Sequence, residues 1–323
     1  MGIQITGIRH AVPPQVQTAA ELAPLIGQTE EWVLRQTGVA RRHVAGDLRD
    51  PAILAAQAAR PLIAEWGAPD LVLYAGAVPR QGVPDTSLFV ARELGLSGIP
   101  CFSVNAVCLS FLMALKVAEG FLESGIYRRV LICVAELASR GRNFDVPEAA
   151  ALMGDGAAAA MVERSADGHG PSGFEGFRLQ TWPEGAELTG LRGGGTMLPP
   201  DDPQVTHADH RFHMDGEGLL RITLPHLRRF LKEFFAEHQL TPQDIDLVIP
   251  HQPSGPGLKL LGRWGFPEDR VINLIADYGN CVAASMPMAL AIAQQTGRLQ
   301  RGQRLLFLGT AAGLSIGAGL FRW

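Results

Sequence analysis

Cys108 stands at a seam in SVNAVCLSFLMALKVAEGFLESG, between a short mixed run and a long amphipathic run without proline. A turn that enters a helix aims unpaired N–H groups and a partial positive charge at whatever occupies it. For a cysteine, that setting predicts a lowered pKa and a supply of thiolate, the nucleophilic form. Free cysteine is also among the most buried residue types. Cys101 and Cys133, each inside a strand-like run, read that way. His251 follows DLVIP directly, in PHQPSG, which predicts a place at the carboxyl end of a strand, the edge where sites form in open α/β sheets. Asn280, in DYGNCVAASMPMAL, enters a second helix and reads as the counterpart of the Cys108 seam. Singly, His251 and Asn280 fit satisfied buried polar groups equally well. Together the three supply a nucleophile and polar groups able to orient and stabilise a reacting carbonyl.

An internal repeat would bring them together. Asp70-Leu71-Val72-Leu73 recurs as Asp246-Leu247-Val248-Ile249, and Met113-Ala114-Leu115 as Met288-Ala289-Leu290. SGIYRRVLICVA and RGQRLLFLGTA follow the two helices in the same order. Near-continuous apolar strands alternating with helices predict α/β sheets covered on both faces. The expected organisation is an N-terminal half, residues 1–164, carrying the nucleophile, and a C-terminal half, residues 165–323, carrying His and Asn. Ser165 to Asp215, rich in Gly, Pro, Asp and His, reads as loop. GLLRITLPHLRRFLKEFFAEHQL reads as a long amphipathic helix, and Thr241-Pro242 as a helix start.

Hydrophobic residues make up 47% of the chain and charged residues 19%, which suits a well-buried enzyme and argues against disorder. A net charge of −4 leaves no footprint for nucleic acid or an anionic membrane. Four cysteines without a CxxC pair or zinc-ligand spacing read as free thiols in a reducing cytoplasm. The start MGIQIT matches a myristoylation pattern formally but reads better as a first strand running into a Pro-Pro turn. LLFLGTAAGLSIGAGLF reads as two buried strands around a tight turn rather than a membrane anchor.

EEWVLRQTGVARRHVA, the cysteine segment, LMGDGAAAAMV, PHQ, YGN and the glycine-rich end, in this order, resemble the β-ketoacyl-acyl-carrier-protein synthase III group of the thiolase superfamily. The resemblance covers nearly the whole chain. It implies a five-layered αβαβα thiolase fold, a homodimer and ping-pong acyl transfer. Cys108 would attack an acyl thioester, with its own N–H and that of Ala312 as oxyanion hole. His251 and Asn280 would hold a malonyl-type thioester as CO2 leaves, and the carbanion would form a carbon–carbon bond. The substrates would be coenzyme A or acyl-carrier-protein thioesters, with no metal or other cofactor. Transfer to an oxygen or nitrogen acceptor, condensation without decarboxylation, and a non-catalytic partner subunit are the alternatives.

Several positions depart from the group. Trp32 matches its adenine-stacking tryptophan, but Pro147 stands where the covering arginine would, Gln36 where the group often has arginine (Arg35 is adjacent), Pro256 at a basic position, and Ser254 at the usual asparagine. Arg140 and Arg142 are the candidate replacements. Val83, where the group often presents a phenylalanine from the partner subunit, predicts room for a longer or branched acyl group. Ala311 and Ala312 replace glycines in their turn. His207, His210 and His213 lack a clear metal-ligand set and read as a solvated loop. Gly154-Asp155-Gly156 reads as a turn needing positive φ. Arg41 to His43 reads as a solvated face or a phosphate contact.

Overall fold

The computed structural model of the chain describes residues 2–165 and 172–323. Its strands run β1 Ile3–Ala11, β2 Gln15–Thr18, β3 Arg41–Val44, β4 Leu71–Tyr74, β5 Cys101–Ser103, β6 Arg129–Leu137 and β7 Asp155–Arg164. Then follow β8 Gly173–Gly185, β9 Thr189–Gly190, β10 His213–Met214, β11 Leu247–Pro250, β12 Arg304–Ala311 and β13 Gly313–Arg322. One sheet has the order β1-β7-β6-β4-β5, the other β8-β13-β12-β11. The second sheet repeats the first: β4 and β11 each lie parallel to the strand that follows their helix, and Val271 bridges Val248 in parallel where β5 pairs with β4.

Five layers result. Helices Ser110–Glu123 and Ser285–Gln295 lie between the sheets, their apolar sides in one core with Ile132, Val134, Leu305 and Phe307. The alternate residues of the same strands face outward. Leu131 and Cys133 pack under helix Pro51–Trp66, and Leu306 and Leu308 under the long helix Gly216–Glu237. Strands covered on both faces are apolar at nearly every position, which is why β4, β11 and the stretch Val130–Ala135 of β6 read as hydrophobic runs. Among the described residues, no helix is long and apolar enough to cross a membrane.

The sequence reading of residues 165–215 as loop needs correction, although 166–171 fall outside the described residues. Thirteen of those residues form β8, which among the described residues pairs with β13 alone and is an edge strand of its sheet. Such a strand tolerates polar residues, here Glu175 and Arg178 in ion pairs, so it lacks the apolar signal of its buried partners. Thr241-Pro242-Gln243-Asp244 forms a capping box around a single 3-10 turn, which leads straight into β11 instead of opening a helix.

Candidate active site

Two elbows of the same shape face each other between the sheets. In the first, Val107–Leu109 makes one 3-10 turn ahead of helix Ser110–Glu123. In the second, Val282–Ala284 does the same ahead of Ser285–Gln295. Val107 and Val282 have φ of 53° and 47°. That conformation is rare for a β-branched residue and typically costs of order 1–3 kcal/mol, held here by surrounding contacts. Cys108 follows Val107. By this register its counterpart is Ala283, and Asn280 matches Asn105 rather than the cysteine, which refines the sequence reading.

Cys108 is partly exposed, and Cys133 and Cys281 are buried; all four cysteines are free. The N–H groups of Ala312 and of Cys108 itself reach the sulfur and favour its ionised form. They do not prevail. Burial and the charge of Glu136 push the Cys108 thiol up to about 12. The expected helix-start depression is therefore overturned: a single short turn contributes less than the desolvation of a thiol inside the protein.

His251 stands at the end of β11, 5% exposed, with its N–H bonded to the Leu308 carbonyl at 2.9 Å. Burial lowers its pKa to about 4, opposed by the Val282 carbonyl, so the ring is neutral near pH 7. Among the described residues its Nδ1 has no hydrogen-bond partner. Gln252, buried beside it, donates to the Ile272 carbonyl and accepts the Leu274 N–H, both at 2.9 Å, which fixes the PHQ segment. Gly309 of β12 must lack a side chain: a Cβ there would stand 2.9 Å from the His251 Cβ and 3.0 Å from a Leu109 methyl.

Asn280 is clamped by its backbone, its N–H to the Leu152 carbonyl at 2.8 Å and its carbonyl to the Gly154 N–H at 3.0 Å. Its side-chain oxygen accepts the Val282 N–H at 2.8 Å, and its amide nitrogen donates to the Pro253 carbonyl at 3.4 Å, just after His251. The clamp corrects the reading of Gly154-Asp155-Gly156. None of these residues has positive φ. Gly154 is required because a Cβ would lie 2.0 Å from the Tyr278 carbonyl, whereas a Cβ at Gly156 would need the Met288 thioether, 2.4 Å away, to shift.

A cavity of about 600 Å³ opens beside His251. Its wall is mostly aliphatic, with Gln36, Thr37, Glu148, Ser254 and Pro256 on it, and Arg263 is its one Lys or Arg. Trp32 lies outside it, half-buried against a small cluster of Leu22, Ile26 and Ala150, and Arg35 is exposed on the same helix. Arg140 and Arg142, the candidate replacement cations, are already engaged. Arg140 donates to the Gly46 and Leu48 carbonyls, and Arg142, 8% exposed, donates to Ser139 and Gln17. Of Arg41 to His43 only Arg41 is solvated, in an exposed pair with Asp277; Arg42 is fully buried and the His43 ring stacks on Tyr278. Val83 is 85% exposed. His207, His210 and His213 lie in a turn and a two-residue strand, and among the described residues no group of three or more His, Cys, Asp or Glu is placed to hold a metal.

Comparison with known proteins gives the same assignment from outside the structure. A family model described as 3-oxoacyl-[acyl-carrier-protein (ACP)] synthase III matches residues 102–181, and its C-terminal companion matches residues 235–323. The β-ketoacyl-[acyl-carrier-protein] synthase III of Syntrophomonas wolfei is 30% identical, covering 100% of this chain and 98% of that protein. That of Rhizorhabdus wittichii is 32% identical, over 99% and 98%. The 3-oxoacyl-[acyl-carrier-protein] synthase III of Aquifex aeolicus superposes with a TM-score of 0.88 at 28% identity, covering 100% of both chains. Xanthomonas campestris OleA, at 22% identity and a TM-score of 0.85 over 100% of this chain and 99% of that one, shares the fold. The chain belongs to the 3-oxoacyl-[acyl-carrier-protein] synthase III family, condensing acyltransferases of the thiolase fold.

Proposed function

We propose that the protein carries an acyl group on Cys108 and condenses it with a malonyl-type thioester. The observation that supports this is a sulfur under the Ala312 N–H in one elbow, and a neutral histidine and an asparagine that both bond to Val282 of the other. With the thiol high and His251 low, the resting pair is thiol and imidazole rather than thiolate and imidazolium. The Cys108 proton then leaves as sulfur attacks the donor carbonyl. The oxyanion forms against the Cys108 and Ala312 N–H groups, and the leaving thiol departs with a proton. Donors aimed at a developing oxyanion are usually the largest catalytic contribution, about 3–4 kcal/mol for one such group.

In the second half-reaction a neutral His251 turns its single N–H from the Val282 carbonyl to the malonyl thioester carbonyl, and the Asn280 amide donates a second hydrogen bond. Charge released as CO2 leaves spreads onto that oxygen. The carbanion attacks the acyl carbonyl, and the sulfur leaves and takes up a proton. These are electron-pair movements that balance without a metal or redox cofactor. The dry surroundings that raise the thiol also protect the carbanion from water.

The aliphatic cavity beside His251, with Arg263 as its single strong cation, favours a thioester arm or an acyl chain over a multiply phosphorylated nucleotide. That points to carrier-protein thioesters, and it keeps open a second reading in which two acyl thioesters condense without decarboxylation. Val83, Val78, Leu88 and Phe102, all exposed, surround the free edge of β5 and suit a second copy of the chain. Free thiols fit a cytoplasmic enzyme.

Incubation with a panel of acyl thioesters, intact-mass spectrometry and peptide mapping test the first step. CO2 release on adding a malonyl thioester tests the second. An adduct on Cys108 with CO2 release is the expected result. An adduct whose acyl group moves on without CO2 would replace this reading with the second one. No adduct from any coenzyme A or carrier-protein donor would leave a non-catalytic partner subunit.

A further inference from the structure

Glu136 is the penultimate residue of β6 and is 1% exposed. Its carboxylate accepts the Ala77 N–H at 2.5 Å, and the N–H groups of Val78 and Ala283 also bond to it. Ala77 is gripped from its other side, because its carbonyl accepts from the Asn105 amide at 3.0 Å. Asn105 in turn holds the Val107 N–H at 2.9 Å, immediately before Cys108. Ala283 follows Val282, whose N–H is held by Asn280. One buried carboxylate therefore connects to both elbows, through Ala77 and Asn105 to the cysteine, and through Ala283 and Val282 to the asparagine.

We propose that Glu136 is a positioning residue of the condensing site, fixing the Cys108 and Asn280 elbows against each other and facing the Cys108 thiol with its charge. The proposal rests on Cys108 being the nucleophile. Three converging N–H donors suit a carboxylate, which only accepts; an amide in its place would turn its own NH2 toward at least one of them. Burial is a larger effect than those bonds and raises Glu136 to about 8, with the charge of Asp155 adding to the rise. The groups that sense its charge are Cys108, Cys281 and Tyr74, in addition to Asp155. As pH rises through 8 the carboxyl ionises and opposes a second negative charge on the sulfur, so the two groups titrate as a coupled pair. Below that pH a protonated Glu136 removes the opposition and still occupies the junction.

Alkylation of the full-length protein by iodoacetamide, mapped to Cys108 across a pH series, reads this directly and needs no substrate. In the unaltered protein the logarithm of the rate should climb with a slope below one between about pH 7 and pH 9, because each thiolate forms against growing charge. Glu136→Gln should straighten the line and speed alkylation above about pH 8 by roughly three- to tenfold. Glu136→Asp keeps the charge on a shorter stem, so the bend should remain. In that variant the kcat of condensation should fall about tenfold, with the KM for the acyl donor unchanged. A unit slope in the unaltered protein, or superimposable profiles for it and Glu136→Gln, would overturn the electrostatic role. An unchanged kcat in Glu136→Asp would overturn the positioning role. If Glu136→Gln does not fold, the unaltered protein's profile decides. Failure of the underlying reading looks different: Cys108 would be alkylated no faster than the buried Cys133 at any pH.

Discussion

Asn105 and Asn280 play the same part twice. Each side-chain oxygen accepts the N–H of the valine two residues later, at 2.9 Å for Val107 and 2.8 Å for Val282, and each valine has positive φ. The two halves of the fold thus use one strained turn for two purposes. In the first half it presents Cys108. In the second half Ala283 fills the position that Cys108 has in the first.

The first prediction follows from where the sulfurs lie. Cys108→Ala should abolish acyl transfer to the protein. Cys133→Ala, which loses a small buried group in β6, should stay acylated and lose about 1 kcal/mol of stability. Intact-mass spectrometry after incubation with an acyl thioester compares them, and equal labelling of both variants would rule out Cys108.

Asn280→Ala removes the hydrogen bond to Val282 and the polar contact near His251. The second half-reaction should slow by about a hundredfold or more, with acylation of Cys108 largely retained. Mass spectrometry for the acyl-enzyme and CO2 release for decarboxylation separate the two. Parallel loss of both would show that the elbow serves folding alone.

His251 links pH to stability. Its folded pKa is lowered from 6.5 to about 4, so the unfolded chain takes the proton first as pH falls. The contribution is fully present above pH 6.5 and is lost as pH drops toward 4, on the order of 2–3 kcal/mol. Thermal melts at pH 7 and pH 4.5 should show a steeper loss for the unaltered protein than for His251→Asn. Equal losses would mean that the ring titrates freely.

Gly154→Ala should be severe, because the new methyl meets the Tyr278 carbonyl at 2.0 Å. Either Leu152–Gly154 or Tyr278–Asn280 must give way, and a change of this kind costs typically 1–3 kcal/mol or more. A melting temperature unchanged within error would contradict the packing described here.

Much of this was legible in one dimension. The repeat of DLVL and DLVI, the apolar strands and the placement of His251 after a strand follow from local rules: a strand covered on both faces is apolar at nearly every position, and the carboxyl ends of parallel strands open toward ligands. The motifs carried the family, and the order of Cys108, His251 and Asn280 within them gave the candidate site. What the chain could not show was how each group is solvated. The helix-start argument for a low thiol pKa failed because burial and the Glu136 carboxylate, 28 residues further along, outweigh a local turn. Glu136 itself was hidden in VLICVAEL, one acid at the end of an apolar run, with no local pattern to mark it. Arg140, Arg142 and Arg42 looked free in sequence and are engaged or buried in the fold. Residue type and local periodicity are properties of the chain, so the elements and the family could be read from it. Desolvation and charge–charge coupling depend on what packs from distant segments, and only the tertiary structure sets them.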